Sequence, residues 1–407
     1  MNRAIQAGSV ITVIAAVLLG AIAVFSPIQP AYAGINAFVI LNNEMGGDCE
    51  DKEIGQWNDK TKTCRLTDDL GGLESIVIGS NDITLNCNGH LLDGPGFGTG
   101  IFLANREGVT IRNCNVTDYH TGIQLFNSDF NTLQGNNAFL NTNNGIFLFL
   151  FSDNNTLQGN TANGNVGNGI HLAGSSDNKL SGNTANDNGD NGIHLEVSSD
   201  NKLSGNTANG NENDGIRLRI SNDNTLNGNT ANGNKEGIIL SISDDNTLNE
   251  NTANGNDDGI SISSSDDNTL NENTANGNKE GILLFDSDDN TLNENTATGN
   301  KFDGILLIDS DDNTLIENTA TGNKFGIFLF ESGNNTLIGN TAFKNLDDGF
   351  FLDSDSDGNT LEDNEAKNND GFGFVDPDDA SNVYTDNKCV ANGSGGSDPT
   401  GLCSPQE

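Results

Sequence analysis

The stretch NTLNENTANGNKEGILL, Asn268 to Leu284, returns almost letter for letter at Asn246 and Asn290. Glycine followed by a large apolar residue recurs at positions 100, 122, 145, 169, 192, 215, 237, 259, 281, 304, 326, 349 and 371, at intervals of 22 to 24 residues. A fixed period in this range belongs to a solenoid, a propeller or an array. Each unit holds three short segments, GIxL, NTL and NTA, with the period-2 alternation of strands. No proline falls between Pro95 and Pro377, as expected where the backbone pairs on both sides. Three strands and three corners fill the unit and leave no room for a helix. The unit is longer than the roughly 18 residues of a left-handed hexapeptide turn. The pattern therefore predicts an all-β chain, a right-handed three-sided parallel β-helix of about 13 coils.

Side-chain parity explains the asparagines. Ile282 with Leu284, Asn290 with Leu292, and Asn295 with Ala297 share the inward parity, while Thr291 and Thr296 point outward. Asn at strand entrances can stack coil on coil, each amide bonding the next and satisfying corner backbone groups. Their abundance is structural.

Three segments carry a resemblance: ITLNCNGHLLDG at Ile83–Gly94, VTIRNCNVTDYHTGIQL at Val109–Leu125, and the repeated GIxLxxSxxNTLxxN. Over about residues 75 to 375 the chain resembles the NosD-type right-handed β-helix proteins, also called the CASH domain, with a pectin-lyase-like fold. That resemblance implies a fold more than an activity. Relatives include exported sugar-binding proteins, polysaccharide lyases, epimerases and hydrolases, and a periplasmic protein of copper delivery. Polygalacturonases carry a GHG segment; the nearest text here, NGHLLDG around His90, lacks the second glycine, and no catalytic residue is carried over.

The ends differ from the coils. Residues 1–33 combine Arg3, an apolar run from Ile11 to Phe25 and Ala31-Tyr32-Ala33, the three parts of a secretory signal with cleavage near Gly34. No later segment reaches the ~18 apolar residues of a membrane span. Residues 34–75 read as an amino-terminal cap, 76–375 as the β-helix, and 376–407 as a polar carboxyl-terminal cap or tail. Six cysteines in an exported chain read as disulfides, Cys49–Cys64, Cys87–Cys114 and Cys389–Cys403. Acidic residues outnumber basic ones 58 to 18, a net charge of −40. That excludes nucleic acid as a partner and favours cations, a polysaccharide or a surface protein.

Outward positions of the GIxLx strands form columns. His171, His194, Glu196, Arg217 and Arg219 fall on three successive coils, a candidate patch for an anionic sugar, with Arg gripping a carboxylate and His as a base. The imidazoles and Glu196 could instead hold a metal. A solvated, self-neutralising patch is the plainer alternative. Further on, Leu283, Phe285, Leu306, Ile308, Phe328, Phe330 and Phe351 form an outward apolar stripe. Such a stripe marks an interface with a partner, a second copy, a sugar chain or the chain's own tail. Asp353, Asp355 and Asp357, followed by Gly358, match the start of a calcium loop, although its twelfth position is Asn364 rather than Glu. Two acidic columns, at 244/245, 266/267, 288/289, 311/312 and at 250, 272, 294, 317, stack like charges, which calls for loosely held cations, protonation or salt.

The near-identical coils leave few special positions, so the first expectation is a secreted or cell-surface, non-catalytic β-helix that binds polysaccharide or surface partners. A polysaccharide lyase, epimerase or hydrolase of the same fold is the alternative, with the His/Arg/Glu patch its candidate site. Copper handling is the third. Its soft ligands are scarce, because the cysteines pair and Met45 is the methionine left after signal removal.

Overall fold

A computed structural model describes residues 36–377 and 381–405; the signal segment lies outside them. The chain coils into a three-sided parallel β-helix. Two sides are continuous sheets of sixteen strands each, one built from the GIxL segments and one from the NTL segments. We call these the first and second sides. Strands pair parallel with the same strand of the neighbouring coil, as Ile282↔Ile305 and Leu284↔Leu307 on the first side and Leu292↔Leu315 on the second. Ile282, Leu284, Leu292 and Ala297 are fully buried, as are their counterparts in each regular coil.

Three asparagine columns run through the interior beside this apolar core. In the column at the NTL entrance, Asn290 Oδ1 accepts from Asn268 N at 2.8 Å and from Asn268 Nδ2 at 3.1 Å. Asn290 Nδ2 in turn donates to Asn313 Oδ1 at 3.1 Å and to Asp288 O at 3.0 Å. The NTA column, through Asn273, Asn295 and Asn318, repeats this geometry. So does a third column at the corner before the first side, through Asn278, Asn300 and Asn323. Every polar atom of such a buried amide has a partner, which is the condition for burying one without a net penalty. A serine column adds to this, Ser265 N donating to Ser287 Oγ at 3.1 Å and Ser287 N to Ser310 Oγ at 3.2 Å.

The ends replace the columns with covalent bonds. Cys87 and Cys114 take the two positions before Asn136 in the NTA column; they form a disulfide with Cα atoms 4.7 Å apart, and Cys114 N donates to Asn136 Oδ1 at 3.2 Å. Cys389 occupies the alanine position opposite Ala366 and bonds Cys403 on the last coil. Cys49–Cys64 ties the single helical turn Asp48–Asp51 to the antiparallel hairpin of Gly55–Asn58 and Thr63–Leu66. Asn36–Ile40 and Glu74–Ile78 pair parallel and extend the first side before the first repeat. Gly395–Asp398 extends it after the last. Three disulfides point to an oxidising, exported environment.

Two details differ from the sequence reading. The glycine column continues through Gly373 rather than Gly371, because Phe350 pairs with Phe374; the doublet GFGF offers both frames and the buried aromatic stack selects one. The third side is a regular sheet only near the ends, as a four-stranded piece from Leu70 to Phe139 and a six-stranded piece from Thr296 to Pro405. Between them it thins to one bridge per coil, through Thr161, Thr184, Thr207, Thr230, Thr252 and Thr274. In that stretch the residue after the alanine is Asn, whose side chain bonds the next coil, as Asn232 Oδ1 accepts from Asn254 N at 2.7 Å. Asn competes for backbone donors and favours turns. Where Thr298, Thr321 or Phe343 takes its place, the strand is regular.

The glycine before each first-side strand is required by space. A Cβ at Gly304 would lie 2.6 Å from both Asn323 Nδ2 and Gly326 O. Gly304→Ala is expected to destabilise by about 1–3 kcal/mol through overpacking. Asn295→Ala strands two buried donors of Asn273 and should lower the unfolding free energy by about 2–5 kcal/mol, while the outward Asn293→Ala should stay within about 0.5 kcal/mol. Thermal and denaturant melts of the three variants check this.

Candidate functional site

Because coils repeat without slip, outward side chains at one position line up about 4.8 Å apart along the first side. Register places Phe147, His171, His194 and Arg217 in one such column, and Ala173, Glu196 and Arg219 in the next. The rings form a ladder: Phe126–Phe149 at 5.8 Å, Phe147–Phe149 at 5.3 Å, Phe147–His171 at 4.9 Å and His171–His194 at 4.8 Å, the last pair within 2° of parallel. The phenylalanines of this ladder escape a reading that looks only for charge, yet they were visible as outward letters of the GIxLx strand.

The ions of the patch close on one another. Arg217 Nη1 donates to Asp214 Oδ2 at 2.9 Å and Arg219 Nη1 to Glu196 Oε1 at 2.7 Å. His171 Nε2 stands 3.9 Å from Glu196 Oε2, too far for a hydrogen bond. Both histidine Nε2 atoms are buried without a partner among the described residues. Burial pushes His171 down to about 4. Burial, then the charges on His171, Arg217 and Arg219, pushes His194 down to about 3. At neutral pH both imidazoles are uncharged. They are weak bases, since a general base works best with a pKa near the working pH.

Asp214 belongs to a column that the sequence reading missed. Asp214, Glu236, Asp258 and Glu280 pair coil to coil immediately before the conserved-spacing glycine, and Asp303 N donates to Glu280 Oε2 at 2.9 Å. The signal was an acidic residue preceding each GI from 214 to 303. Burial is the leading cause that raises all five carboxyls, Glu236 and Asp303 to about 7. Arg217, Lys235, Lys279 and Lys324 offset this in part. In the column at Asp244, Asp266, Asp288 and Asp311 each Oδ1 accepts the backbone N–H of the next coil, at 2.9 Å from Asp266 and Asp288, 2.8 Å from Asp311 and 2.6 Å from Gly333. Burial still raises the Asp244 and Asp288 carboxyls, and these bonds offset it in part.

The apolar stripe is likewise one structural feature. Leu283, Leu306, Phe328 and Phe351 stand in one column and Phe285, Ile308 and Phe330 in the next. Phe285 is 45% and Phe330 39% exposed, while Leu306 is buried between its neighbours. The carboxyl-terminal strands Val383–Thr385, Lys388–Val390 and Gly395–Asp398 extend the three sides of the coil instead of folding back across the stripe.

At the acidic loop, Asp353 Oδ1 accepts from Glu331 N at 3.0 Å and Ser356 Oγ at 2.7 Å, and Asp357 Oδ1 from Ser381 Oγ at 2.6 Å. Asn364 is fully buried in the NTA column, with Asn340 N donating to its Oδ1 at 2.8 Å. Among the described residues, no three acidic, histidine or cysteine side chains converge as metal ligands. No helix among them is long and apolar enough to cross a membrane.

A family model described as "Right handed beta helix region" matches residues 75–218, 186–320 and 276–404. The chain belongs to that family. The family fixes the hand of the coil as right-handed. Comparison with curated proteins gives no match. Solved structures with a similar chain path include a double mutant of the periplasmic alginate epimerase AlgG, 14% identical with a TM-score of 0.42, covering 77% of this chain and 79% of that one. The Azotobacter vinelandii mannuronan C-5 epimerase AlgE4 A-module is 15% identical with a TM-score of 0.40, covering 83% and 89%. An alginate lyase from Paenibacillus sp. is 17% identical with a TM-score of 0.37, covering 58% and 89%.

The carboxyls and imidazoles set opposing pH dependences. Glu236 and Asp303 have folded pKa values above their unfolded ones, so the native state holds more protons and stability falls as pH rises from about 4 to about 7. His171 and His194 have folded values below the unfolded one; their contribution is complete above about 6.5 and is lost as pH falls toward 4 and 3. Asp303→Asn should raise the melting temperature at pH 8 and leave it nearly unchanged at pH 5. His194→Phe should flatten the decline below pH 6. Melts across pH 3–9 measure both.

Proposed function

We propose that this protein is an exported, non-catalytic β-helix that uses the outward face of its first side to bind an extended partner, a polysaccharide or a surface protein. The observation that carries the reading is the closure of the patch: Arg217 and Arg219 are spent on Asp214 and Glu196 at 2.9 and 2.7 Å, beside imidazoles held neutral. An arginine already paired has little left for a substrate carboxylate, and an imidazole titrating near 4 is a poor base at neutral pH. What the patch offers is a rigid ladder of Phe126, Phe147, Phe149, His171 and His194, and aromatic anchors on a preformed surface supply binding energy without catalysis.

Within the right-handed β-helix family we place the chain with the NosD-type proteins, on the segments 83–94 and 109–125. The copper handling of that group is not favoured: all six cysteines form disulfides, and Met45 is the methionine among the described residues. Calcium at Asp353, Asp355 and Asp357 fits poorly as a built site, since Asp353 Oδ1 and Asp357 Oδ1 already accept protein hydrogen bonds and Asn364 is committed to its column. We propose it there as a loosely held counter-ion.

A panel of neutral and uronate polysaccharides, with calcium and with chelator, tests the reading. Retention without new reducing or unsaturated ends is expected, weakened about tenfold or more in Phe147→Ala/His194→Ala, since anchor truncations cost upward of 1 kcal/mol each. Turnover that disappears in His194→Ala or Arg217→Ala would make the protein an enzyme.

A further inference from the structure

The apolar stripe has two edges of opposite charge. On three of the four stripe strands a lysine precedes the stripe and an acid follows it: Lys279 and Asp286 flank Leu283 and Phe285, Lys301 and Asp309 flank Leu306 and Ile308, Lys324 and Glu331 flank Phe328 and Phe330, whereas Leu346, Asp347 and Asp348 precede Phe351. The lysines, Asp286, Asp309 and Glu331 are exposed. Lys301 and Lys324 lie over the rings of Phe302 and Phe325, at 5.0 and 4.7 Å, and make no salt bridge among the described residues. On the opposite edge, partial desolvation and the charges of Asp309, Asp355 and Asp353 hold the Glu331 carboxyl above its ordinary range. Lys279 is paired with Asp257 at 2.7 Å, which leaves Lys301 and Lys324 as the cations one edge offers, against crowded anions on the other.

Two identical faces can meet about a two-fold axis in one of two directions. An axis along the strands keeps each edge on its own side and sets lysine against lysine and acid against acid. An axis along the solenoid exchanges the edges, so that the lysines of each copy meet the acids of the other. We propose that the protein self-associates through this stripe as a parallel dimer, two solenoids side by side pointing the same way with a two-fold axis along their length. The occupant is a second copy, chosen by the self-complementarity of Lys301 and Lys324 with Asp309 and Glu331; the net charge of −40 on each copy opposes the approach and has to be screened by salt.

The extent of the patch sets the strength. Three to four coils at about 4.8 Å by about seven residues at about 3.3 Å give roughly 400 Å² per copy, below the ~800 Å² per partner of a standard stable interface. The dimer is therefore of the weak, concentration-dependent class. The stripe and the ring ladder lie on the same first side, so a dimer that opposes the two first sides also brings the ladders to face each other. Polysaccharide retention by the charge-reversal variants, read beside their association, separates the two ideas.

Sedimentation equilibrium of the purified protein in about 0.15 M salt, where the ~8 Å screening length removes long-range repulsion, reads the association. Wild type should dimerise reversibly. Lys301→Glu/Lys324→Glu and Asp309→Lys/Glu331→Lys should each weaken self-association by about tenfold or more, because the contacts of Lys301 with Asp309 and of Lys324 with Glu331 become like-charge pairs. An equimolar mixture of the two should associate at least as well as wild type. Single cysteines report direction: Leu283→Cys and Phe351→Cys should each form a disulfide with their own kind. Circular dichroism of each variant confirms folding. A monomer at all concentrations, a dimer indifferent to both charge reversals, or a cross-link found only when Leu283→Cys is mixed with Phe351→Cys would overturn the proposal.

Discussion

The amide ladder is the constraint on which the rest of the structure depends. A buried asparagine that donates to the next coil's Oδ1 and accepts from the previous coil's N and Nδ2, as Asn290 does, can be satisfied only if neighbouring coils keep the same register. One slip would strand several buried donors at a cost of about 1–3 kcal/mol each. Apolar contacts alone would not impose this, since leucine tolerates sliding over leucine far better than an amide tolerates a lost partner. This is how a chain only 33% hydrophobic holds one continuous interior. The polar columns set the register, and a narrow core of Ile, Leu and Ala supplies the burial.

Fixed register turns the surface into columns, and each column must solve the problem of stacking one residue type on itself. The aspartates at 244, 266, 288 and 311 accept backbone N–H groups from the next coil, which offsets in part the burial that raises the Asp244 and Asp288 carboxyls. The column from Asp214 to Asp303 solves it by burial and raised pKa values, with lysines nearby. His171 and His194 solve it by staying neutral and stacking. Each of these accommodates a repeat. The proposed binding along a face rests on that economy of the columns.

The period and the inward parity of Asn290, Leu292, Asn295 and Ala297 were legible because both are one-dimensional properties of the chain. The disulfide pairs were legible because Cys87 and Cys114 occupy equivalent places on successive turns. What the sequence hid depends on neighbours one coil away. The closing of Arg219 on Glu196 requires knowing that residues 23 apart stand side by side with complementary reach. The thinning of the third side depends on whether an Asn or a Thr follows one alanine, a choice between two hydrogen-bond partners rather than a change of pattern. The shift from Gly371 to Gly373 was decided by the stacking of Phe350 on Phe374, with ring centroids 4.5 Å apart.

Hydrogen exchange at the ladder amides tests the account most directly. The N–H groups of Asn246, Asn268, Asn290 and Asn313 donate to side-chain oxygens of the next coil. If those columns hold the coils in register, these amides should exchange only through global opening, as slowly as those of the Leu248, Leu270 and Leu292 strands beside them. Exchange at the rate of the exposed corners, with the leucine strands still protected, would contradict it and leave the apolar core to hold the coil alone.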